Sequence, residues 1–375
     1  MVNYQNIDRL LKERFERALS ERIFSGAALG FLFFEQNKVH RLERYFGKIS
    51  YGSAGNMVNE ETVFDLASLT KSLATMPALL HLMVKMDMGW KTTLFDIFGS
   101  GIPEDKKQIT IEQMVSHSAG FPAHREYFKD LVHYPSQLRK KKLWADILKE
   151  KLIYKPGAEH FYSDLDFMLL GYLIEYKSKM SLDRYIEKNI YKPAGLTDKL
   201  FFSSSAAKNI KYAKTENDSR SGKPLSGQVH DDNSRAIGGV AGHAGLFGNL
   251  QGVLKAGEEL LRQCLDQNNA GFYAGVDMHQ ELLCDKKNRN WKLGFDRPSA
   301  IGSSSGHYFS DSTFGHLGFT GTSFWIDPEQ QLVLVLLTNR VHPSRRNIKI
   351  KKFRPQIHDF MLEWFLEMRQ QKTPS

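Results

Sequence analysis

Residues 64–71 read Phe64-Asp65-Leu66-Ala67-Ser68-Leu69-Thr70-Lys71, and the run from 72 to 88 that follows is apolar with helical spacing. Residues three apart on a helix share a face, so Ser68 and Lys71 touch if Ser68 sits in the first turn. A serine hydroxyl is a weak nucleophile until a neighbouring base takes its proton. A lysine near its free pKa of about 10.4 is protonated and unsuited to that task. Burial and nearby positive charge would lower the value enough to make it a base. A helix N-terminus adds N–H groups and a positive dipole end suited to an oxyanion. The plainer alternative is Ser68 as an N-cap with Lys71 on a solvated face. The rest of the chain decides between the two.

At 375 residues the chain can bury a substantial core in one large or two interleaved domains. Its content, 41% hydrophobic and 25% charged, is that of an ordinary globular protein. No apolar run approaches the length needed to span a bilayer, and the longest, 27–34, is strand length. Residues 1–23 carry a charged amphipathic pattern through Ile7, Leu10, Leu11, Phe15 and Leu19, with no apolar h-region and no small-residue cleavage site. The expectation is a cytoplasmic protein, although a periplasmic or exported chain stripped of its leader would read the same. Cys264 and Cys284 give neither a framework of bridges nor a metal spacing, and no pair among the 13 histidines matches a zinc motif. No metal and no cofactor are expected. The net charge of +9 is densest in two short runs, 139–142 and 345–352, without repeating aromatics between them. These read as solvated surface and argue against nucleic acid, while a basic surface favours acidic small molecules.

Strands are expected over 26–34 and 39–46, joined by a turn at 35–38. A Gly/Ser/Asn loop, 47–61, leads to Ser68, and the helix beyond carries Pro77 in its second or third turn, where it can kink, before closing at Gly89. Residues 93–103 read as a loop and 110–116 as a helix ending at His117-Ser118-Ala119-Gly120-Phe121-Pro122. Further helices are expected over 136–151, 165–177, 182–190 and 250–265. Between the last two, 201–233 is polar and loop-rich and 237–248 is dense in glycine. The end changes character: 315–327 and 332–339 are apolar and β-branched about the turn 327–330, which reads as a β-hairpin, and a helix over 355–368 finishes the chain. This order implies an α/β (α+β) fold. An antiparallel sheet flanked by helices would be built from 1–66 and 235–375, with 67–234 as a mainly helical lobe and the site in the cleft between them.

Two further stretches carry chemistry. Phe161-Tyr162-Ser163-Asp164 lies in the loop before the 165–177 helix. A phenol of pKa near 10 can act as a base where a cation such as Lys71 stabilises its phenolate; the same loop also suits an aromatic packed at a helix start with Asp164 as N-cap. His316-Leu317-Gly318-Phe319-Thr320-Gly321-Thr322 lies on the expected hairpin. Its glycines allow close backbone approach by a substrate, and an edge N–H, that of Phe319 foremost, could join that of Ser68 in an oxyanion hole. The alternative there is a strand with structural glycines and a packed histidine.

Ser-x-x-Lys, then Tyr-Ser-Asp, then His-x-Gly, in this order and spacing, resembles the motif set of the serine β-lactamase and penicillin-binding-protein superfamily. The likeness is greatest to the class C branch with its esterases, D,D-peptidases and D-aminopeptidases. It extends over Phe64 to Lys71, His117 to Gly120, Tyr162 to Leu165, 238–245 and 315–328. The resemblance implies a two-part fold of sheet and helical lobe, with Ser68 as the acylated nucleophile. Lys71 and Tyr162 would share the proton work, with the base left open between them, and the amides of Ser68 and Phe319 would hold the oxyanion. Asp164, where asparagine is frequent, would order Lys71 or contact the substrate. His316 and Gly318 stand in the third motif, where Lys-Thr-Gly is common in enzymes that grip a substrate carboxylate. Leu317 cannot donate a hydrogen bond and a free histidine is largely neutral near pH 7, so the expectation is a weakened anion grip and poor β-lactam hydrolysis. His230 and His243, beside and within the glycine-dense loop, are lesser candidates, since such histidines are more often structural hydrogen-bond partners. The leading expectation is a serine hydrolase for an ester or small amide. The alternatives are a D,D-peptidase or D-amino-acid amidase for cell-wall fragments, and a catalytically silent binding or scaffold relative.

Overall fold

The computed structural model describes residues 4–36, 38–52, 56–203, 210–219, 221–265, 291–299 and 301–371. Cys284, together with 204–209 and 220 of the polar stretch, lies outside the described residues. Among the described residues there are ten strands: β1 (Gly26–Glu35), β2 (Lys38–Gly47), β3 (Phe64–Asp65), β4 (Leu200–Phe202), β5 (Leu246–Gly248), β6 (Trp291–Lys292), β7 (Phe295–Asp296), β8 (Phe314–Leu317), β9 (Ser323–Asp327) and β10 (Leu332–Thr338). Seven form one antiparallel sheet in the order β2-β1-β10-β9-β8-β7-β6, and three form a small one, β3-β5-β4. The first strand of the chain thus lies against the last, with Ala27 opposite Thr338 and Phe33 opposite Leu332.

The helices are α1 (Tyr4–Ser20), α2 (Met76–Lys85), α3 (Leu94–Phe98), α4 (Ile111–Val115), α5 (Phe128–Leu131) and α6 (Ser136–Lys149), then α7 (Asp164–Ser178), α8 (Leu182–Ile186), α9 (Lys192–Ala194), α10 (Asp232–Ala236), α11 (Leu250–Cys264) and α12 (Ile350–Gln370). One face of the large sheet packs on α1 and α12: Leu29, Phe31, Leu334 and Leu336 meet Leu11, Phe15, Ile357 and Phe365. The other face, through Ala28, Leu32, Val333 and Val335, packs on α11 and the helical middle of the chain. Covered on both sides, β1 and β10 are apolar at successive positions where a half-solvated strand would alternate. Strand β2 is the uncovered edge and is correspondingly charged.

The α/β architecture, an antiparallel sheet flanked by helices, is the one the element order implied. Local details differ. The stretch 93–103, expected as a loop, contains α3, whose capping box pairs Thr93 with Asp96. The helix expected to run on from 72 begins with a π turn, Lys71–Thr75, in which the Met76 N–H reaches back to the Lys71 carbonyl, and ends at Lys85. The 182–190 helix breaks similarly into α8, a π turn at Glu187–Tyr191, and α9. The 315–327 strand is two strands, β8 and β9, reversed by the loop 318–322, where Gly321 takes a φ of +106°. The expected hairpin is therefore part of a meander. The last helix starts at Ile350, with Pro355 inside it, because burial of Ile350 and Phe353 holds the turn ahead of the proline.

Phe15 anchors α1 to this core, stacked on Phe46 at 3.9 Å and edge-on to Phe353 at 5.4 Å. Phe15→Ala should cost about 3–5 kcal/mol, read as a fall in the denaturant midpoint at unchanged slope. A loss under about 1 kcal/mol would mean that α1 does not belong to the cooperative core.

Candidate active site

Ser68 stands at the end of a tight turn between β3 and the π turn. The residue before it, Ala67, has a φ of +49°, left-handed backbone that a non-glycine residue avoids. Hydrogen bonds hold it there. The buried Asp65 carboxylate accepts the Ala67 N–H at 2.9 Å and the His230 N–H at 2.7 Å. Thr70 Oγ1 donates to the Ala67 carbonyl at 2.6 Å. From the 318–322 loop, the hydroxyls of Thr320 and Thr322 donate to the carbonyls of Asp65 and Leu66. Asp65 lies inside the opening motif and was given no role from sequence. Only the positive φ that it stabilises reveals one.

Two groups reach Ser68 Oγ: Lys71 Nζ at 3.2 Å and Tyr162 Oη at 3.0 Å. The side chain of Lys71 is fully buried, and its ammonium also donates to Asp164 Oδ1 at 2.8 Å and the His243 carbonyl at 3.2 Å. That carbonyl comes close because α7 and the glycine loop touch backbone to backbone. A Cβ on Gly242 would overlap the Phe167 carbonyl, and one on Gly171 would lie 2.8 Å from the Gly242 nitrogen. Thr75 Oγ1 ties the same loop down through the Gly242 carbonyl at 2.6 Å.

From sequence the base is open between Lys71 and Tyr162, and a lysine serving as base needs a lowered pKa; its surroundings here act in the other direction. Burial does penalise the ammonium, but the Asp164 carboxylate, with Tyr162 beside it, outweighs burial and holds Lys71 above the ordinary lysine range. Burial pushes the Tyr162 phenol above its usual range, Lys71 opposes the rise, and Asp164 adds to it. Burial would raise Asp164, yet Lys71 and His124, at 3.5 Å from Oδ2, keep it far below the carboxylate range. At rest the site is an ammonium, a carboxylate and a neutral phenol. Asp164 is not the N-cap of α7: Ser163 is, accepting the Leu165 N–H, which leaves the Asp164 carboxylate for Lys71.

Tyr162 is positioned from below by His117, whose ring centroid is 4.7 Å from the phenol ring. His117 has a φ of +54°, and its Nδ1 lies 3.1 Å from Asp166 Oδ2 and 3.2 Å from the Ser163 nitrogen. Burial raises Asp166 and lowers His117, each toward its uncharged form. In the sequence His117 carries no sign of a function and Asp166 none at all. Their apolar neighbours read as ordinary helix core.

A cleft of about 610 Å³ opens over Ser68, Tyr162 and Asp164 and is also lined by Leu317, Gly318 and Phe319. Gly318 accommodates the turn there, since a Cβ would overlap Thr322 Oγ1 and the Leu66 carbonyl, and its N–H donates to the Thr322 carbonyl at 2.7 Å. The Phe319 ring is half exposed to the cleft, stacked on His230 at 5.6 Å and under the Arg340 guanidinium at 4.4 Å. His230 Nε2 lies 3.1 Å from Glu216 Oε2, and His243 Nε2 lies 2.9 Å from Asp231 Oδ1. Both histidines line the cleft. His316 does not: its side chain is buried, with Nδ1 2.8 Å from the Leu317 carbonyl and its ring centroid 6.3 Å from that of Tyr162, and burial lowers its pKa. Among the described residues no cluster of three metal-ligating side chains occurs and no helix is long and apolar enough to cross a membrane.

Comparison with known proteins gives the family and the fold. The Beta-lactamase family matches residues 12–356. A "Putative D-alanyl-D-alanine carboxypeptidase" of Escherichia coli (strain K12) is 29% identical, over 90% of this chain and 83% of its own. Among solved structures, "EstCE1, a hydrolase with promiscuous acyltransferase activity" superposes with a TM-score of 0.72 at 18% identity, over 95% of this chain and all of the other. An octameric penicillin-binding protein homologue from Pyrococcus abyssi gives 0.70 at 17% identity, over 96% of this chain and 78% of its own. At such identities the two structures speak for the fold.

Asp164→Asn keeps an acceptor for Lys71 and removes the charge that raises both Lys71 and Tyr162. Their basic forms should then appear at lower pH, and the rising limb of a pH–kcat/KM profile on an ester should move down by roughly one to three units. An unmoved limb would show that Asp164 does not set the protonation of the site.

Proposed function

Because the chain belongs to the Beta-lactamase family and is a serine hydrolase, we propose that Ser68 is its acylated nucleophile and Tyr162 its base, acting on an ester or small amide in the cleft between a sheet-bearing part (1–66 and 235–375) and a helical part (67–234). The observation that carries the reading is the convergence of Lys71 Nζ and Tyr162 Oη on Ser68 Oγ, with Lys71 held as a cation by Asp164. A lysine kept charged cannot take a proton. It can stabilise the phenolate form of Tyr162, which can.

In acylation, Tyr162 first gives up its phenol proton to solvent, and the phenolate so formed beside the Lys71 ammonium takes the Ser68 proton while Oγ bonds to the substrate carbonyl carbon. The tetrahedral intermediate collapses with cleavage of the bond to the leaving oxygen or nitrogen, and Tyr162 returns the proton to that atom. Water then attacks the acyl-enzyme, giving its proton to the phenolate, and Ser68 recovers a proton as the acid departs. The oxyanion would lie between the amides of Ser68 and Phe319, neither of which donates to a protein acceptor among the described residues. Arg340 Nε holds the Phe319 carbonyl at 2.7 Å, which orients that peptide. The Leu317 side chain, the Ala67 and Ala244 methyl groups and the Phe319 ring give the walls an apolar share suited to a small acyl group.

The second reading, a D,D-peptidase on cell-wall fragments, is favoured by the name of the Escherichia coli relative, which matches 90% of this chain. A silent scaffold is not retained, since the serine, lysine and tyrosine are all present and within hydrogen-bond distance.

A fluorophosphonate probe should label Ser68, and Ser68→Ala should abolish both labelling and turnover of p-nitrophenyl acetate. Tyr162→Phe should lose about 10²–10⁴ in kcat at retained fold. Failure to label Ser68, while a control enzyme is labelled, would sink the nucleophile assignment. Faster turnover of a D-Ala-D-Ala peptide than of simple esters would move the substrate to the second reading.

A further inference from the structure

His124 is a titratable side chain of the cleft that takes no part in the acylation described above. It sits on the loop between Gly120 and α5, and that loop is fastened on both sides of it. On one side, the Pro122 carbonyl accepts from Ser163 Oγ at 2.7 Å and the Ala123 carbonyl accepts the Asp164 N–H at 2.9 Å. On the other, the buried Asn233 of α10 donates to the Arg125 carbonyl at 2.8 Å and accepts the Phe128 N–H at 2.9 Å. From this fixed backbone the imidazole reaches the catalytic carboxylate: Nδ1 lies 3.5 Å from Asp164 Oδ2, while Lys71 Nζ holds Oδ1 at 2.8 Å. One carboxylate thus bridges a cation kept charged and a ring whose charge depends on pH.

The charges facing His124 come from several elements. Its contact with Asp164, at the start of α7, raises it above the ordinary imidazole range against the opposing effect of burial, and Asp231 and Glu126 add to the rise. The other acids of the wall are occupied: Glu126 is shared with Lys129, Asp231 with His243, and Asp232 with Arg235 and Arg345. Against a proton on His124 stand Lys71, on the far side of Asp164, and the basic groups of the same wall, His230, His243, Arg340, Arg345, Lys351 and Arg354. The His124 side chain is 45% exposed, so it exchanges protons with solvent, whereas the Lys71 side chain is sealed off.

Asp164 is the group through which the ring can act. Against burial, its charge keeps Lys71 an ammonium, and it adds to the rise that burial imposes on Tyr162. We propose that His124 is a positioning residue that sets, through Asp164, how readily Tyr162 becomes a phenolate, an inference resting on the reading of Tyr162 as base. Protonated, the ring offsets the carboxylate charge and eases loss of the phenol proton; neutral, it leaves that charge to act on Tyr162 in full. The coupling is reciprocal, so a phenolate at Tyr162 draws a proton onto His124. Charged ring with phenolate holds the same number of protons as neutral ring with phenol. The site therefore keeps a share of its basic form as the pH falls through neutrality.

The test is the pH dependence of kcat/KM for p-nitrophenyl butyrate, an uncharged ester, from about pH 5 to about pH 9. With the phenolate a minor form throughout, the logarithm should rise with unit slope except for a shoulder where His124 loses its proton, at or above the ordinary imidazole value of about 6.5. His124→Asn keeps a donor near the Nδ1 position without the charge. It should give an unbroken line that joins the wild type above the shoulder and runs about three- to tenfold below it on the acid side. His124→Arg, always charged, should give an unbroken line that follows the wild type on the acid side and runs about three- to tenfold above it beyond the shoulder. Asp164→Asn should move the shoulder to lower pH, because the carboxylate that raises His124 is gone. A purely structural role would change the rate alike at every pH. Either His124 variant decides alone if the other fails to fold. A wild-type profile without a shoulder, or variant profiles parallel to the wild type, overturns the coupling while leaving Ser68 and Tyr162 in their roles. Full activity of Tyr162→Phe defeats the base assignment, and the coupling with it.

Discussion

An ammonium with no exposed surface, 2.8 Å from a carboxylate, is the constraint on which the rest of this molecule depends. A buried charge must find a counter-charge and fill its hydrogen bonds, and removing one partner of such a pair costs about 3–5 kcal/mol. Lys71 meets the demand with Ser68 Oγ, Asp164 Oδ1 and the His243 carbonyl, which lie 3, 93 and 172 positions away in the chain. Three distant segments must therefore meet at one nitrogen. Much of the surrounding architecture serves that meeting. Gly171 and Gly242 bring α7 and the loop into backbone contact, Ser163 caps α7 so that Asp164 is left for the lysine, and a π turn rather than an α turn carries Lys71 itself.

The site is held by strain as well as by charge. Ala67 and His117 both lie in the left-handed region, at a cost of order 1–3 kcal/mol each. Each is flanked by hydrogen bonds that over-determine it: Asp65, Thr70 and Thr320 around the first, Tyr154 Oη and the Phe161 N–H on the carbonyl of the second. Such strain persists only where the framework is stiff. Here the framework is a sheet clamped between two helical layers, with its first and last long strands side by side.

Asp164 has two effects that pull in opposite directions. It keeps Lys71 charged, and so available to stabilise a phenolate at Tyr162. Its own negative charge also raises the Tyr162 phenol and works against that phenolate. An asparagine would relax both effects together. The protonation of the site is thus set by one carboxylate, and the proton traffic at Ser68 follows from it. Further along the same cleft the balance is reversed, with cations in excess along the wall formed by 340–354.

The sequence by itself determined the elements that repeat or alternate: the apolar strands at both ends, the amphipathic first helix, the helices expected over 136–151, 165–177 and 250–265, which the fold holds to within two residues, and the three motifs around Ser68, Tyr162 and Gly318. These signals are local, carried by spacing within some fifteen residues, and spacing survives in a one-dimensional reading. The short helix α3 and the reversal inside 315–327 fell below that resolution. Tertiary structure alone decided the charges. Whether Lys71 is neutral or charged depends on Asp164, 93 positions away, and on burial, neither of which spacing reveals. The same holds for His316, which is buried and absent from the cleft wall, and for Arg340 and Arg354, which lie outside the basic runs 139–142 and 345–352 and carry no signal until the fold buries them beside the cleft. Local pattern specifies which residue types occur where; the energy of a charge depends on what surrounds it in space, and only the folded chain supplies that.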